Sequence, residues 1–293
     1  MPHSKSAEDA LATALRHRID QKRRPLYMPY LTLGDPGFAM SVEIASAMIR
    51  GGADVLELGI PFSDPTADGP VIQRAMVRSM SQPDFSLDQI FETTAAIHRV
   101  DETLPIVYLT YLNLIVSGQP SARAGYDSHS IVESNARQFF ERAKAAGVSG
   151  FVIPDLPFDA KEAELLHRIG ADTGIVIATL IAPNTADSRL EKLAESAQGF
   201  IYYVTSQGVT GERTTLPADL SAKLHQVRSV SKVPVFAGFG ISRPEQVKAL
   251  VGHADGVIAG SVNHRIIEED SSHAPALIEE LTVNFIAALQ SEE

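Results

Sequence analysis

Short apolar runs alternate along the chain with longer segments in which apolar residues recur at helical spacing. Each run is followed by turn residues and then by a helical pattern, which is the order expected of consecutive βα units. We therefore predict eight strands, at residues 26–33, 55–58, 106–110, 150–153, 174–178, 199–204, 233–237 and 256–259. Because these runs are almost continuously apolar, both faces of each strand are expected to be buried, as in a parallel sheet covered by helices.

Eight βα repeats favour an α/β fold closed into a (β/α)8 barrel, or TIM barrel, over the alternative of an open doubly wound sheet. An extra N-terminal helix over residues 7–18 is expected to cover the bottom of the barrel. A C-terminal helix over residues 274–289 is expected to complete the outer ring of helices. Because no interdomain linker is recognisable, we predict a single barrel domain over residues 1–293.

The segment over residues 117–130 interrupts this rhythm, because it is polar and contains Gly118, Pro120 and Gly125. It follows the third strand, where a short loop would be enough, so we predict an exposed loop insertion. Loops at that end of a barrel surround the active site. A lid, a contact for a partner protein and a disordered connection remain open alternatives for this segment.

The composition is that of an ordinary globular protein, with 44% hydrophobic and 21% charged residues. The absence of cysteine excludes disulfides and thiolate catalysis, and together with the lack of a signal peptide it predicts a cytoplasmic protein. No apolar run approaches the roughly 20 residues of a membrane helix, so we expect no membrane segment. A net charge of −11 disfavours nucleic acid, and an anionic substrate would need local help from backbone N–H groups.

Glu57 lies inside an apolar strand, between Leu56 and Leu58. In a barrel, a residue near the C-terminal end of a strand faces the site, and a partly desolvated carboxylic acid has its pKa raised toward the range useful for proton transfer. We therefore interpret Glu57 as a catalytic acid or base. The alternative is a structural ion pair with a lysine or arginine of the next strand.

Asp64 and Asp68 follow in a loop rich in proline and glycine, so a metal site is a second reading of these acids. We predict no metal, because the nine histidines are scattered along the chain and are better interpreted as surface or packing residues. A Schiff-base mechanism is also disfavoured, since no lysine falls at the C-terminal end of a predicted strand. Proton transfer by carboxylates remains.

Glycine-containing turns follow the last three predicted strands, at residues 207–211, 238–242 and 259–261. In barrels of this kind a phosphate group is commonly bound at this position, where small residues let backbone N–H groups reach the anion. Ser242 with Glu245 has the pattern of a helix cap, so a helix N-terminus is expected beside the second turn. We predict a phosphate site; ordinary βα turns are the alternative.

The chain resembles the tryptophan synthase α family through the motif LELGIPFSDP at residues 56–65 and ADGP at residues 67–70. Further segments with the look of family motifs follow in the family order: PYLTLGDPG at 29–37, YLN at 111–113, PDLP at 154–157, GVTG at 208–211 and GFGIS at 238–242. The resemblance covers residues 8 to 290. It implies a barrel lyase that cleaves indole-3-glycerol phosphate by a retro-aldol reaction to indole and glyceraldehyde 3-phosphate, in the final stage of tryptophan biosynthesis.

By the family's pattern, Glu57 matches the catalytic acid–base residue, and Asp68 matches the carboxylate that accepts the indole N–H. The resemblance also assigns substrate-binding positions. Tyr202 matches a family tyrosine at the active site. Positions that line or support the indole pocket are Tyr30, Leu109, Tyr111, Asp155 and Thr210, and the phosphate ligands are Gly211, Gly240, Gly260 and Ser261. For the tyrosines, core packing is the alternative.

The resemblance further implies a partner, the tryptophan synthase β subunit, in an αββα heterotetramer. The pyridoxal phosphate cofactor would belong to that partner, and this chain would need no cofactor of its own. Two alternatives remain: a non-catalytic activator of a β subunit, and a stand-alone indole-glycerol-phosphate lyase. The second is motivated by residues 117–130, which lie near the expected partner face. Another phosphosugar barrel enzyme is disfavoured by the motif at residues 56–69.

Overall fold

Eight parallel strands close into a barrel in the order of the chain in the computed structural model, which describes residues 9–117, 128–205, 219–238 and 240–290. The strands are β1 (Leu26–Thr32), β2 (Leu56–Gly59), β3 (Ile106–Leu109), β4 (Val148–Val152), β5 (Val176–Ile181), β6 (Gln198–Val204), β7 (Val235–Gly238) and β8 (Gly256–Ala259). Pairing of β1 with β8 closes the ring. The predicted (β/α)8 barrel is confirmed.

Helices follow the strands and surround the barrel. They are α1 (Ala10–Lys22), α2 (Phe38–Arg50), α3 (Pro70–Met80), α4 (Leu87–His98), α5 (Leu112–Ser117), α6 (Ser128–Ala145), α7 (Lys161–Thr173), α8 (Asp187–Ser196), α9 (Leu220–Val230), α10 (Pro244–Lys248), α11 (Ser261–Glu269) and α12 (Ala274–Leu289). None of the helices in the described part of the chain is both long and apolar enough to cross a membrane.

The extra N-terminal helix α1 is present, but it begins later and ends later than the predicted 7–18. It begins after Asp9, whose Oδ1 accepts a 3.0 Å hydrogen bond from the Ala12 N–H. Asp9 Oδ2 also accepts from the Gly199 N–H at 2.6 Å, at the start of β6. Because Leu11 and Leu15 are buried with residues of the barrel interior, α1 covers the N-terminal end of the barrel.

Alternate residues of each strand point into the barrel, because side chains alternate between the two faces of a strand. Leu26, Met28 and Tyr30 of β1 belong to the inner cluster, whereas Leu31 packs in an outer cluster between sheet and helices. In the parallel register of β1 and β2, Tyr30 pairs with Glu57. The inward positions nearest the C-terminal ends of the strands therefore build the floor of the site.

Several predicted strand boundaries were wrong. Strands β5 and β7 begin two residues later than predicted, and β4 begins two residues earlier. For β5 the reason is that Gly174 adopts φ +72° and ends α7 in the left-handed conformation. The predicted loop over residues 117–130 has helical ends, since Ser117 ends α5 and Ser128 begins α6. The remainder of that loop, residues 118–127, lies outside the described residues. That the whole chain forms one domain stays a prediction.

Candidate active site

A cavity opens at the C-terminal ends of the strands, where sites of this fold lie. Its lining consists of Tyr30, Glu57, Asp68, Ile72, Leu109, Tyr202, Gly240, Ile241, Ile258, Gly260 and Ser261. Eight of these are residues that the sequence reasoning named. The other three, Ile72, Ile241 and Ile258, give the cavity apolar walls that were not predicted, because the sequence around an isoleucine does not distinguish a pocket from a core.

Glu57 lies on β2 and is 1% exposed. Its Oε1 has no hydrogen-bond partner among the described residues, and no cation of that part of the chain influences its ionisation. The ion pair that was the structural alternative for Glu57 is therefore not found there. Burial, reinforced by the negative charge of Asp68, raises the pKa of Glu57 to about 8.

Asp68 lies in the loop between β2 and α3, two residues before the helix begins. The Tyr111 hydroxyl donates a 2.5 Å hydrogen bond to Asp68 Oδ2. The Gln73 side chain donates to the Asp68 carbonyl at 2.8 Å. Burial raises the pKa of Asp68 to about 6, while the hydrogen bond from Tyr111 opposes this rise by stabilising the carboxylate.

The two acids thus differ in charge state near neutral pH. With a pKa of about 8, Glu57 is mostly protonated, and with a pKa of about 6, Asp68 is mostly ionised. The same cavity therefore holds a proton donor and an anion. Two titratable groups whose environments separate their pKa values in this way are suited to acid–base work.

Two tyrosines form the floor of the cavity, and glycines make room for them. A Cβ at Gly59 would overlap the Tyr30 hydroxyl, and a Cβ at Gly238 would overlap the Tyr202 ring. The Tyr30 hydroxyl lies 3.0 Å from Thr32 Oγ1. Burial, together with nearby carboxylates, raises the pKa of both tyrosines well above their ordinary value, so both keep their hydroxyl hydrogens.

Tyr111 and Asp155 were also named from the sequence, but neither lines the cavity. The Tyr111 hydroxyl contacts the loop that carries Asp68: it donates to the Asp68 carboxylate and accepts a 3.2 Å hydrogen bond from the Ala67 N–H. Its ring stacks on Phe62 with centroids 5.0 Å apart. Asp155 is exposed, and its Oδ1 accepts from the Leu112 N–H at 2.9 Å, at the first residue of α5. The structure thus gives both side chains supporting contacts.

The glycine turns after β7 and β8 meet at one side of the cavity. Gly240 has φ +76°, and Gly260 directly precedes α11, whose first residue is Ser261. Backbone N–H groups in the first turn of a helix lack helical partners and favour an anion. This side of the cavity therefore has the chemistry that a phosphate group requires. Thr210 and Gly211, in the turn after β6, lie outside the described residues.

A helix does begin beside the second turn, but the residues predicted to cap it, Ser242 and Glu245, were wrong. Helix α10 begins at Pro244, and Gln246 makes the capping contacts. The Gln246 side-chain oxygen accepts from the Ser242 N–H at 2.8 Å and from the Arg243 N–H at 2.9 Å. A glutamine three residues after the N-cap, here Arg243, can serve as well as glutamate, and only the geometry distinguishes the two registers.

One polar group near the cavity was not foreseen. His264, which the sequence reasoning counted among surface or packing residues, is fully buried and bonds to both Asp35 and the Thr32 N–H. Although burial opposes it, hydrogen bonds from Arg78 and His264 lower the pKa of Asp35, which favours the carboxylate. In the described residues no cluster of three or more histidine, aspartate or glutamate side chains is placed to hold a metal ion.

These features define a (β/α)8-barrel protein whose cavity joins two buried acids of opposite protonation state to the first turn of a helix. Residues 17–291 match the family model described as tryptophan synthase alpha chain. The chain belongs to the tryptophan synthase α family.

Named relatives and a solved structure agree with this membership. The tryptophan synthase alpha chain of Leptospira interrogans is 47% identical over 254 residues, covering 87% of this chain and 90% of the relative. That of Lacticaseibacillus casei is 39% identical over 272 residues, covering 93% and 94%. The tryptophan synthase subunit alpha of Legionella pneumophila superposes with a TM-score of 0.77 at 30% identity, covering 97% of this chain and 99% of that one.

Proposed function

We propose that the chain is a lyase that cleaves indole-3-glycerol phosphate to indole and glyceraldehyde 3-phosphate, in the final stage of tryptophan biosynthesis. The observation that carries this proposal is that two buried acids, Glu57 and Asp68, line one cavity, where burial raises their pKa values to about 8 and about 6. Family membership supplies the identity of the substrate. The substrate offers a ring to be protonated and a phosphate to be bound, and the cavity has a counterpart for each.

The reaction moves one proton from the glycerol hydroxyl to C3 of the indole ring. Protonated Glu57 donates its proton to C3, which places positive charge on the ring nitrogen. Ionised Asp68 accepts the indole N–H hydrogen bond and stabilises that charge. The Glu57 carboxylate then takes the proton of the hydroxyl group, the carbon–carbon bond breaks with its electron pair returning to the ring, and the aldehyde forms. Glu57 ends as it began, protonated.

The rest of the cavity orients the substrate. Tyr30, Leu109 and Tyr202 line the cavity with two aromatic rings and an aliphatic side chain, against which the indole ring can pack. Gly240, Gly260 and Ser261 hold the phosphate through backbone N–H groups. In this proposal Gly211 is a further phosphate ligand and Thr210 belongs to the indole pocket, and both lie outside the described residues. Tyr111 and Asp155 act indirectly: Tyr111 fixes Asp68, and Asp155 fixes the start of α5.

We also propose that the chain works with a tryptophan synthase β subunit in an αββα heterotetramer. The structure of tryptophan synthase from Mycobacterium tuberculosis contains a chain that superposes with a TM-score of 0.80 at 26% identity, covering 98% of this chain and all of that one. Pyridoxal phosphate belongs to the β partner in this proposal, and no residue of the present chain is assigned to it. A cytoplasmic location stays a prediction.

The decisive experiment measures indole release from indole-3-glycerol phosphate by the purified chain, alone and with β subunit. We expect release by the chain alone and stimulation by the partner. Glu57→Gln should lower kcat by at least about 100-fold, because general acid–base catalysis contributes on this scale. Glu43→Gln, which changes an exposed carboxylate on α2, is the matched control and should leave kcat unchanged.

Other outcomes would replace the proposal. A wild-type chain that cleaves nothing but stimulates the β subunit would be an activator. One that cleaves at full rate and binds no β subunit would be a stand-alone lyase. Near-normal turnover by Glu57→Gln would remove Glu57 from the mechanism.

A further inference from the structure

A chain of polar contacts behind the cavity joins helix α11 to helix α3. His264 Nδ1, on α11, lies 2.7 Å from Asp35 Oδ2, in the turn after β1. Arg78, on α3, donates to both oxygens of Asp35, from Nε at 2.7 Å and from Nη2 at 2.8 Å. The side chains of His264 and Asp35 are both fully buried. The Asp35 carboxylate therefore contacts a side chain from each of the two helices.

The second nitrogen of His264 fixes α11 to the central sheet. The Thr32 N–H donates a 2.9 Å hydrogen bond to His264 Nε2. A backbone N–H can only donate, so Nε2 must accept, and the ring hydrogen must lie on Nδ1, facing Asp35. The neighbouring Asn263 side chain donates to the Tyr30 carbonyl at 3.1 Å. The first turn of α11 is thus hydrogen-bonded to the strand that carries the Tyr30 floor.

The outer end of the same network joins the two helices directly. Glu268, on α11, accepts from Arg78 at 2.5 Å and from Arg74 at 2.7 and 2.9 Å. These contacts are partly exposed, so they contribute less than the buried ones. The helices they join have distinct roles in the cavity. Helix α3 begins two residues after Asp68, whereas α11 begins at Ser261, on the phosphate side.

We propose that His264 is a positioning residue that sets the spacing between the phosphate side and the carboxylate side of the cavity. It does so by bridging the Thr32 N–H, which fixes the first turn of α11, and Asp35, which fixes α3 through Arg78. This inference rests on the proposed function, because the spacing matters only for a substrate that spans both sides. A buried polar bridge is also poorly explained by stability alone, since an apolar side chain would avoid the desolvation of these groups.

The two nitrogens of His264 can be tested separately. Asn places an amide nitrogen where Nδ1 stands, so His264→Asn can keep the donor to Asp35 and loses the acceptor for Thr32. Gln reaches the position of Nε2, so His264→Gln can keep that acceptor and loses the donor. We expect His264→Asn to raise KM and weaken the binding of inorganic phosphate about fivefold or more, with kcat changed less. We expect His264→Gln to keep the affinity for phosphate and lower kcat about fivefold or more.

His264→Leu removes both contacts and should lower kcat/KM by more than either single-contact variant. Because this variant also risks the fold, urea unfolding is measured for each protein and rates are expressed per folded molecule. The matched control is His273→Leu, which removes the exposed pair formed by His273 and Asp270 at 2.8 Å. The control should leave KM, kcat and phosphate affinity unchanged.

The results separate a failure of this inference from a failure of the proposed function. If the wild-type chain cleaves the substrate, and all three His264 variants keep wild-type KM, kcat and phosphate affinity per folded molecule, His264 is only structural and the inference is overturned. It is overturned equally if the Asn and Gln variants show no split between phosphate affinity and kcat. If the wild-type chain neither cleaves the substrate nor binds phosphate, the proposed function fails first and the inference falls with it.

Discussion

Tyr111 donates its hydroxyl hydrogen to Asp68 across 43 positions of the sequence, and this contact gives Asp68 a different environment from Glu57. Both acids are buried in the same cavity, and the Tyr111 hydroxyl lowers the pKa of Asp68 by stabilising its charged form. The difference between a pKa of about 6 and one of about 8 follows from it in part. The difference in pKa between the two acids therefore depends in part on Tyr111, a residue that does not line the cavity.

Tyr111→Phe should raise the pKa of Asp68, because the mutation removes the hydrogen bond that favours the carboxylate. The ring that stacks on Phe62 is kept, so the packing should survive. We expect kcat/KM for indole-3-glycerol phosphate to fall about tenfold at pH 7, in line with the loss of a hydrogen bond to a charged group. The same rate in the variant and the wild type across pH 5.5 to 7.5 would contradict this role.

The pH dependence of the wild-type chain should be bell-shaped. Activity is expected to fall below about pH 6, where Asp68 takes up a proton, and above about pH 8, where Glu57 loses its own. The measurement is kcat/KM against pH, which reports on the free enzyme. The phosphate of the substrate titrates near pH 6 as well. Asp68→Asn separates the titration of Asp68 from that of the substrate phosphate. Any loss of activity at low pH that remains in this variant is due to the phosphate.

Much of the fold could be predicted, because continuous apolar runs are a strong signal. Strand β8 has the predicted bounds of residues 256–259. The start of β5 was predicted too early because the sequence does not show whether a glycine before a strand belongs to the strand or ends the preceding helix. Gly174 ends helix α7 in the left-handed conformation. Local pattern decides that an element exists, but the conformation of a few residues decides where it begins.

The site likewise contains residues that the sequence could predict and residues that it could not. Glu57 was recognisable because a carboxylic acid inside an apolar strand is costly unless it has a purpose. The bond between His264 and Asp35 was not recognisable, since the partners are 229 residues apart and neither looks unusual in its own segment. Such contacts depend on how β1 and α11 are brought together by closure of the barrel. A single sequence carries no local signal for them.

Gly59→Ala should remove activity without unfolding the chain. Its Cβ would overlap the Tyr30 hydroxyl, so the Tyr30 ring, which lines the cavity, must move. We expect kcat/KM to fall by at least about 100-fold, because small displacements in a site have effects of this size. Gly37→Ala is the matched control, since a Cβ there meets no atom within 4 Å. Equal losses in both variants would point to a general effect of replacing glycine.

The opposite end of the barrel should affect stability and not catalysis. Arg24 and Asp54 form a buried ion pair at 2.7 Å, and Asp54 also accepts from the Tyr27 N–H at 2.8 Å. Arg24→Met leaves Asp54 buried without its cation, so the free energy of unfolding in urea should fall by about 3 kcal/mol, with KM unchanged. Arg50→Met breaks the exposed pair with Glu279 and should cost less than about 1 kcal/mol. A smaller loss at Arg24 than at Arg50 would contradict the assignment.

Glu57→Gln should make the fold more stable at high pH while it removes activity. The pKa of Glu57 is about 8 in the folded chain against an ordinary value of 4.5, so the folded state binds more protons than the unfolded state between these values. The contribution of Glu57 to stability is therefore complete below about pH 4.5 and is lost as the pH rises to about 8. Glutamine does not titrate, so the Glu57→Gln variant does not lose this stability as the pH rises.

The test compares urea unfolding of the two proteins at pH 5 and pH 9. The variant should gain on the order of a few kcal/mol relative to the wild type between these pH values, because each unit of pKa shift corresponds to about 1.4 kcal/mol. Glu43→Gln, at an exposed position of α2, should show no such pH-dependent gain. A difference between variant and wild type that stays constant with pH would mean that Glu57 ionises normally in the fold. In that case its burial would not supply the protonated acid that the reaction needs.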